Sequence, residues 1–407
     1  MIVIPSKMGR LNQRALLSGL QRAGVASRAD LAKALGLSQP TAGKIVDELL
    51  TMGVIEEVES PARSEAGAPV KLGRPGRLLR LNQSTPRFLA VQLGVTETRL
   101  AALPVGVTPD DRWAGRFKTP TSAAAWIKSL AAAGRSFRFP SLWGVLVSVP
   151  GIVDELAGDV VYSPNLHWTE KCGLAHMIEE TLGLPALLVQ EERALALGQQ
   201  YVEPKNRDFM LADFGEGVGG AIVVEGRIFA PPLPISGEFG HTPVPGNTRS
   251  CGCGARGCLE TLISRRGLLQ SLAEQHPGSN VNWMGLVHRL VEEGMPPWLL
   301  DTLNAAAAVL AGALNVLGLR KIVVTGSLTE LPKEALDHLR KSIVQGCLWA
   351  RFGEVEVVGA PRRRMAGLVA SGIDRLVLPV TRSLERDHAA MPLASRSPLF
   401  KSIQAPE

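Results

Sequence analysis

The most diagnostic part of this chain reads Gly237-Glu238-Phe239-Gly240-His241 and then Cys251-Gly252-Cys253-Gly254-Ala255-Arg256-Gly257-Cys258-Leu259-Glu260. Three thiols and one imidazole form a complete tetrahedral ligand set for zinc, with no position left for a catalytic water. The glycines let a short loop fold back so that all three sulfur atoms face one ion. Because the spacing differs from that of ordinary zinc fingers, a cluster of reduced, inert cysteines remains the alternative.

Length and composition limit the number of domains and the class of protein. A chain of 407 residues exceeds one usual compact core and predicts two or three domains. With 45% hydrophobic and 20% charged residues, it is neither disordered nor collagen-like. No run approaches the roughly 18 uninterrupted apolar residues of a membrane span, and Pro5 interrupts the N-terminus too early for a secretion signal. The cysteines do not resemble an extracellular disulfide framework. We therefore expect a cytoplasmic protein that does not contact a membrane.

The positive charge is concentrated at the N-terminus. Residues 1–85 contain twelve Lys or Arg against seven Asp or Glu, so this segment holds nearly all of the formal net charge of +6. Such a distribution indicates a polyanionic partner for the N-terminal segment alone, although an incidentally basic surface would give the same count.

Helical periodicity favours a polyanionic partner over an incidentally basic surface. Apolar residues recur at helical spacing from Leu11 to Leu20, from Leu31 to Leu35 and from Thr41 to Leu50. Two short helices joined by a tight turn at Gly36 are typical of a helix-turn-helix, whose second helix contacts base edges with its first residues. We predict DNA contacts from its start, at Ser38, Gln39, Thr41 and Lys44. A helical hairpin that docks onto a protein is the alternative.

A wing is predicted after these helices. Residues 54–58 and 77–81 read as two strands, and the segment between them is rich in Ala, Gly and Pro. Arg74 and Arg77 on this stiff turn resemble the minor-groove arms of other DNA-binding proteins. A flexible basic linker is the alternative. Residues 1–85 are thus predicted to form a winged helix-turn-helix DNA-binding domain.

From Phe88 onward, predicted strands alternate with helices, which indicates α/β layers in two lobes. We place the first lobe at 86–200, completed by a C-terminal helix at 362–380, the second lobe at 201–361, and a tail at 381–407. The glycine-rich stretch 213–220 follows a predicted strand. It is consistent either with a phosphate-binding turn or with a structural hairpin.

The chain resembles the ROK family (repressor, open reading frame, kinase), in its branch of winged-helix sugar-responsive repressors. The resemblance rests on residues 149–154, 163–166 and 213–220 and on the motif from Glu238 to Glu260. It implies an actin-like (ribonuclease H-like) two-lobed sugar-kinase fold that assembles as dimers or tetramers. It also implies a structural zinc ion bound by His241, Cys251, Cys253 and Cys258.

The same resemblance places a sugar pocket between the lobes. The residues implied to bind the effector are Asn165, Glu191, Glu192, Glu238, His241 and Glu260. These side chains suit a sugar, because its hydroxyls both donate and accept hydrogen bonds, and carboxylates and an amide can form hydrogen bonds with them.

Departures from the family's kinases predict that phosphoryl transfer is lost. Glu191-Glu192 replaces their Asn-Asp pair, whose aspartate is the base, and the longer side chain displaces the carboxylate by about 1 Å. Gln92 stands in place of the aspartate of the first phosphate loop, and Glu216 in place of the threonine of the second. Phosphoryl transfer depends on positioning and charge neutralisation together.

These observations predict a DNA-binding transcriptional regulator of carbohydrate metabolism, most simply a repressor, and not an enzyme. A sugar-like effector would alter the spacing of paired heads on a palindromic operator. Two alternatives remain: an active ATP-dependent sugar kinase with an added DNA-binding head, and a regulator controlled by protein docking without a small ligand.

Overall fold

The computed structural model describes residues 7–59, 77–107, 110–137, 139–229, 231, 235–277 and 281–379. The predictions for Arg74 and for the tail 381–407 lie outside these residues.

Residues 7–59 and 77–81 form a helical head with a small sheet. Its helices are α1 (Lys7–Ala23), α2 (Arg28–Leu35) and α3 (Gln39–Thr51), and its strands are β1 (Ala26–Ser27), β2 (Ile55–Val58) and β3 (Leu78–Leu81), in the order β1-β3-β2. Ser27 and Asp30 cap the start of α2 reciprocally, and left-handed Gly36 ends it. The Ser38 hydroxyl then accepts the amide of Thr41 at the start of α3. The predicted winged helix-turn-helix is confirmed.

The first lobe is built on a five-stranded mixed sheet in the order β10-β7-β4-β5-β6. Its strands are β4 (Phe88–Leu93), β5 (Glu97–Leu103), β6 (Gly115–Lys118), β7 (Gly144–Val149) and β10 (Ala186–Gln190), and a separate hairpin comprises β8 (Ile152–Asp154) and β9 (Asp159–Tyr162). One face packs on α4 (Ala123–Gly134) and α5 (Leu174–Leu182), and the other on α6 (Glu191–Val202) and α12 (Arg364–Gly372).

The second lobe repeats this arrangement in the order β13-β12-β11-β14-β15. Its strands are β11 (Phe209–Phe214), β12 (Val218–Val224), β13 (Arg227–Ile228), β14 (Lys321–Gly326) and β15 (Glu356–Gly359). Its helices are α7 (Glu260–Ile263), α8 (Arg265–Gln275), α9 (Trp283–Glu293), α10 (Pro297–Leu317) and α11 (Lys333–Gly346). In both sheets the first strand pairs antiparallel with the next and parallel with a later one, and the two lobes give the actin-like fold.

Helix α10 is the one helix among the described residues that is long and apolar enough to cross a membrane by length and composition. Its Leu299, Leu303, Leu310 and Leu314 are buried in the core of the second lobe. We therefore assign α10 as a core helix.

Helix α12 packs on the first lobe with its backbone very close to that of α6. A Cβ atom on Gly367 would lie 1.7 Å from the carbonyl oxygen of Ala194, and one on Gly198 would lie 1.8 Å from that of Arg363. Glycine at both positions lets α6 and α12 pack with their backbones almost in contact. The chain thus returns to the first lobe after β15, in the part of the sequence predicted to complete it.

The glycine-rich stretch 213–220 is mainly a hairpin between antiparallel β11 and β12. Its turn comprises Gly215, Glu216 and Gly217, and the amide of Gly215 donates to the carbonyl of Gly217 at 2.8 Å. Gly219 and Gly220 lie within β12, so the turn is shorter than the predicted run of glycines.

Candidate functional site: a metal centre, an interlobe cleft and a DNA-binding surface

Four predicted ligands converge in the loop between β13 and α7. The ligand atoms of His241, Cys251, Cys253 and Cys258 all lie within 4.8 Å of one another. The Sγ atoms of Cys253 and Cys258 are 3.7 Å apart, and Cys251 Sγ is 3.5 Å from Nδ1 of His241. A tetrahedral zinc ion, with bonds of about 2.3 Å to sulfur and about 2.0–2.1 Å to nitrogen, requires edges of about 3.8 Å and about 3.5 Å. The donor set therefore fits a metal ion of this geometry.

Tight turns hold the ligands in place. The Cys251 amide donates to Ala255 O at 2.9 Å, and left-handed Gly254 and Gly257, with φ of 88° and 80°, permit the reversal. Burial, reinforced by the neighbouring thiols, raises the pKa of the Cys258 thiol to about 12. A bound cation would reverse this preference, because metal ligation requires thiolates.

Two predicted effector residues border the metal cluster. His241 turns Nε2 towards Glu238, whose Oε2 lies 3.8 Å away. Glu260, at the start of α7, accepts the amide of Val218 at 2.8 Å. Its other oxygen is 3.9 Å from Cys251 Sγ. The structure thus brings Glu238, His241 and Glu260 together on the second lobe, with the His241 imidazole beside both Glu238 and Cys251.

The first lobe contributes Glu192 to the same region. Glu192 lies in the first turn of α6, and a Cβ atom on Gly219 of the second lobe would be 3.4 Å from its Cγ and Oε1. Burial, followed by the charges of Glu191, Glu238 and Asp213, raises the pKa of Glu192 well above its ordinary range. Glu192 therefore retains its proton to higher pH than an ordinary glutamate, and in that form its carboxyl can donate a hydrogen bond.

Glu191 has a different environment from Glu192. Its carboxylate accepts a hydrogen bond from Arg364, which is 3% exposed and also lies 3.7 Å from Asp111. The extra negative charge that the sequence places beside the cleft is therefore balanced by a buried arginine. The structure gives Glu191 this partner, and a role in effector binding stays a prediction.

Asn165 lies on the turn that follows β9. Its side chain is exposed, and the turn abuts the metal loop: Tyr162 donates to Gly252 O at 3.3 Å, and a Cβ atom on Gly252 would be 3.8 Å from Pro164. The metal loop thereby touches both lobes. Sequence reasoning missed Tyr162, although it lies three residues before Asn165.

Arg362 lies against the turn of the second predicted phosphate loop, at Gly215. Its guanidinium forms two parallel bonds of 2.7 Å to Asp213. Cβ atoms on Gly215 and Gly326 would lie 2.4 Å and 2.7 Å from its Nη2, so the guanidinium sits against both glycine turns. Sequence reasoning missed this residue, whose only local signal is the run Arg362-Arg363-Arg364.

The predicted DNA-contacting residues of α3 share one exposed surface. Gln39 and Lys44 are exposed on the first turns of the helix. Ser38 and Thr41 are also exposed, and their hydroxyls are 2.8 Å apart as part of the helix cap. Arg77, at the base of the wing, pairs with Glu57. The first two turns of α3 therefore present an amide, hydroxyls and a cation to solvent.

The family model described as ROK family matches residues 88–369, well over half of the chain. The chain belongs to the ROK family. A second model, described as winged helix-turn-helix DNA-binding, matches residues 10–56. The two matches correspond to the lobes and the head.

Among curated proteins, this ROK protein is similar to the xylose repressor of Caldicellulosiruptor bescii, with 24% identity over 86% of this chain and 91% of that protein. It is also similar to the DNA-binding transcriptional dual regulator NagC of Escherichia coli, with 25% identity over 82% of this chain and 84% of that protein. With the head, these relatives confirm the prediction of a DNA-binding transcriptional regulator.

Solved structures agree on the fold. A ROK family transcriptional regulator, described as a homolog of the E. coli MLC protein, has a TM-score of 0.73 at 19% identity and covers 90% of this chain and 97% of its own. A ROK family glucokinase from Streptomyces griseus, in complex with glucose and AMPPNP, has a TM-score of 0.57 at 24% identity and covers 70% and 97%. Regulators and kinases of the family thus share the two lobes, and the fold does not decide between them.

Proposed function

We propose that this protein is a cytoplasmic repressor of carbohydrate-metabolism genes that binds double-stranded operator DNA through its head and a sugar or sugar derivative through its cleft. One observation carries the proposal. Glu192 of the first lobe and Glu238, His241 and Glu260 of the second converge beside the metal cluster, in a chain whose head exposes α3.

The cleft chemistry suits a sugar hydroxyl pair. Glu260 and Glu238 supply acceptor oxygens, and burial raises the pKa of both Glu238 and Glu192, which favours the protonated form that can also donate. A ligand bridging these groups would contact both lobes and favour their closure. Effector control then follows from differential binding to two states, typically worth about 1–3 kcal/mol.

The metal that best matches the Cys3His set is Zn²⁺, bound by His241, Cys251, Cys253 and Cys258. When bound, the ion supplies rigidity and charge neutralisation, and its four protein ligands leave no position for a reacting water. His241, Glu238 and Glu260 would then be oriented at one wall of the pocket.

We further propose that the protein is not a kinase. The guanidinium of Arg362 fills the space between the glycine turns and is neutralised by Asp213, so it is not free to balance a triphosphate. Glu216 adds a negative charge to the same turn. A coupled assay with MgATP and a hexose panel tests this: turnover near about 1 per second or above would restore the kinase alternative.

DNA binding is proposed to require paired heads. A homodimer or homotetramer presents two α3 helices related by a twofold axis, and such pairs read half-sites separated by whole helical turns of DNA. The operator is therefore expected to be palindromic.

The experiment that tests the function begins with retention of genomic DNA fragments on the full chain. Lys44→Ala should weaken retention of the selected fragment and lower the slope of log K against log salt by about 1, because one phosphate contact is lost. Lys341→Ala, which removes an equally exposed lysine from α11, is the matched control. Unchanged retention after removal of residues 1–85 would contradict the proposal.

Calorimetry against a panel of xylose, glucose and N-acetylglucosamine, with and without the selected fragment, tests the effector. Heat of binding that is lost in Glu260→Gln supports a sugar ligand. Specific capture of a lysate protein by the two lobes, with no heat from any sugar, would favour the docking alternative.

A further inference from the structure

The head packs against the first lobe through a short segment that follows α12 in the sequence. Residues Ile373–Val377 form a π-helix, a rare conformation that often marks functional positions. We call residues 373–379 the junction segment. Its Val377 and Leu378 share one apolar cluster with Leu16 and Leu20 of α1 and with Tyr201 at the end of α6.

Polar contacts reinforce the joint on the side of the head. Arg14 of α1 donates to Asp374 O at 2.7 Å and to Leu378 O at 3.0 Å, and it pairs with the Asp374 carboxylate at 2.5 Å. Gln21 donates to the carbonyl of Tyr201. Helix α1 is therefore bound to the junction segment and to α6 along most of one face.

The opposite side of the junction segment is bound to the cleft. Arg375 pairs with the Glu155 carboxylate at 3.3 Å and donates to Leu188 O, in the middle of β10, at 3.4 Å. The same carboxylate lies 3.4 Å from Arg193, which follows Glu192 in the first turn of α6, and it accepts the amide of Gln190 at 3.2 Å. Glu155 thus links two arginines, one at the cleft and one in the junction segment.

We infer that the junction segment couples the cleft to the DNA-binding head, with Glu155 as the central link. The inference rests on the proposed function, in which a ligand contacts Glu192. A ligand that moves Glu192 also moves Arg193, because both lie in the first turn of α6. The distance between Arg193 and Glu155, and with it the strength of their ion pair, then changes. Because Glu155 also pairs with Arg375, and the neighbouring Asp374 pairs with Arg14, the change reaches α1 through consecutive contacts.

Alternating ion pairs suit this role. Glu155 and Asp374 each have an arginine partner on a different structural unit, so a shift of one unit changes the ion pairs of the next. Couplings of this kind usually change affinity by about 5–150-fold.

Hydrogen exchange on the full-length protein without ligand tests the link. Glu155→Gln removes the charge while keeping an acceptor for the Gln190 amide. We expect amides of the junction segment and of α1 to exchange about tenfold faster, because the junction segment loses an ion pair that holds it and α1 is bound to that segment. The matched control is Glu97→Gln, since Glu97 also lies between two first-lobe arginines, Arg99 at 2.8 Å and Arg116 at 3.7 Å.

Two further variants complete the test and cover the case in which Glu155→Gln does not fold. Arg193→Gln breaks the link at the cleft and Asp374→Asn breaks it at the head, and each should accelerate exchange in α1. The inference is overturned if these variants leave α1 at the wild-type rate, or if Glu97→Gln loosens α1 equally. Retention of genomic DNA is measured separately, so failure of the link is distinguishable from failure of the proposed function.

Discussion

At the scale of single residues, the raised pKa of Glu192 is the feature with the clearest thermodynamic consequence. Burial and the charge of Glu191 raise its pKa in the folded state, so the folded protein binds this proton more tightly than the unfolded chain does. Stability should therefore fall as the pH rises above the unfolded pKa of about 4.3, until the folded pKa is reached.

Glu192→Gln should remove this loss, because an amide resembles the protonated acid and does not ionise. Urea unfolding without sugar should show the variant gaining stability over the wild type between pH 5 and pH 8. Glu203→Gln, at the exposed far end of α6, is the control and should stay within about 0.5 kcal/mol of the wild type. A difference between wild type and Glu192→Gln that does not grow with pH would show that Glu192 is ionised.

Glu191 leads to a second prediction at this scale. Glu191→Gln leaves the buried guanidinium of Arg364 with Asp111 as its remaining acidic partner among the described residues. Removing one member of a buried pair usually costs about 3–5 kcal/mol. We expect a loss near about 3 kcal/mol in the free energy of unfolding, measured with urea.

Glu274→Gln is the control for that prediction, since Glu274 pairs with Arg249 at 2.7 Å from an exposed position. Such pairs contribute about 0–1 kcal/mol. Equal losses in the two variants would mean that Arg364 is not effectively buried.

At the scale of structural elements, the metal loop should depend on its ion for order. The loop is held mainly by hydrogen bonds and isolated bridges, such as that between Pro243 and Cys258. Cys253→Ser should reduce bound zinc well below one equivalent by elemental analysis and lower the Tm, because binding to the folded state stabilises it. Cys172→Ser, which changes a partly buried cysteine outside the cluster, should retain the metal. Full zinc content in Cys253→Ser would remove Cys253 from the ligand set.

Local signals explain which elements the sequence predicted. Caps, glycine stops and helical periodicity located α2 and α3, and apolar runs located β4, β7, β11 and β14. Short or amphipathic strands such as β1 and β6 were missed, since two to four residues do not define a period. The family motif predicted the cluster of His241, Cys251, Cys253 and Cys258, whose members lie close together in sequence.

The remaining part of the site depends on distant contacts. Arg362 reaches Asp213 across 149 residues of sequence, and Arg364 reaches Glu191 across 173. No periodicity or motif records such pairs, because they arise from the return of the chain to the first lobe after β15. The predicted surplus of acid beside the cleft is balanced by these arginines.

At the scale of the whole molecule, the head and the first lobe share a core. Leu378 is 2% exposed and packs in the same cluster as Leu16 and Leu20. Leu378→Ala should therefore cost about 2–4 kcal/mol and should destabilise α1, although the substitution lies more than 350 residues away in sequence. Urea unfolding combined with hydrogen exchange of α1 measures both effects.

Leu348→Ala is the matched control, because Leu348 is 58% exposed and its truncation should change stability by less than about 0.5 kcal/mol. If the head folded independently of the lobes, Leu378→Ala would leave α1 exchange unchanged while destabilising the C-terminal segment. If the shared core holds them together, α1 and the first lobe lose protection in parallel. An effector that moves the first lobe must then move α3 with it, which is the mechanical requirement for control of DNA binding from the cleft.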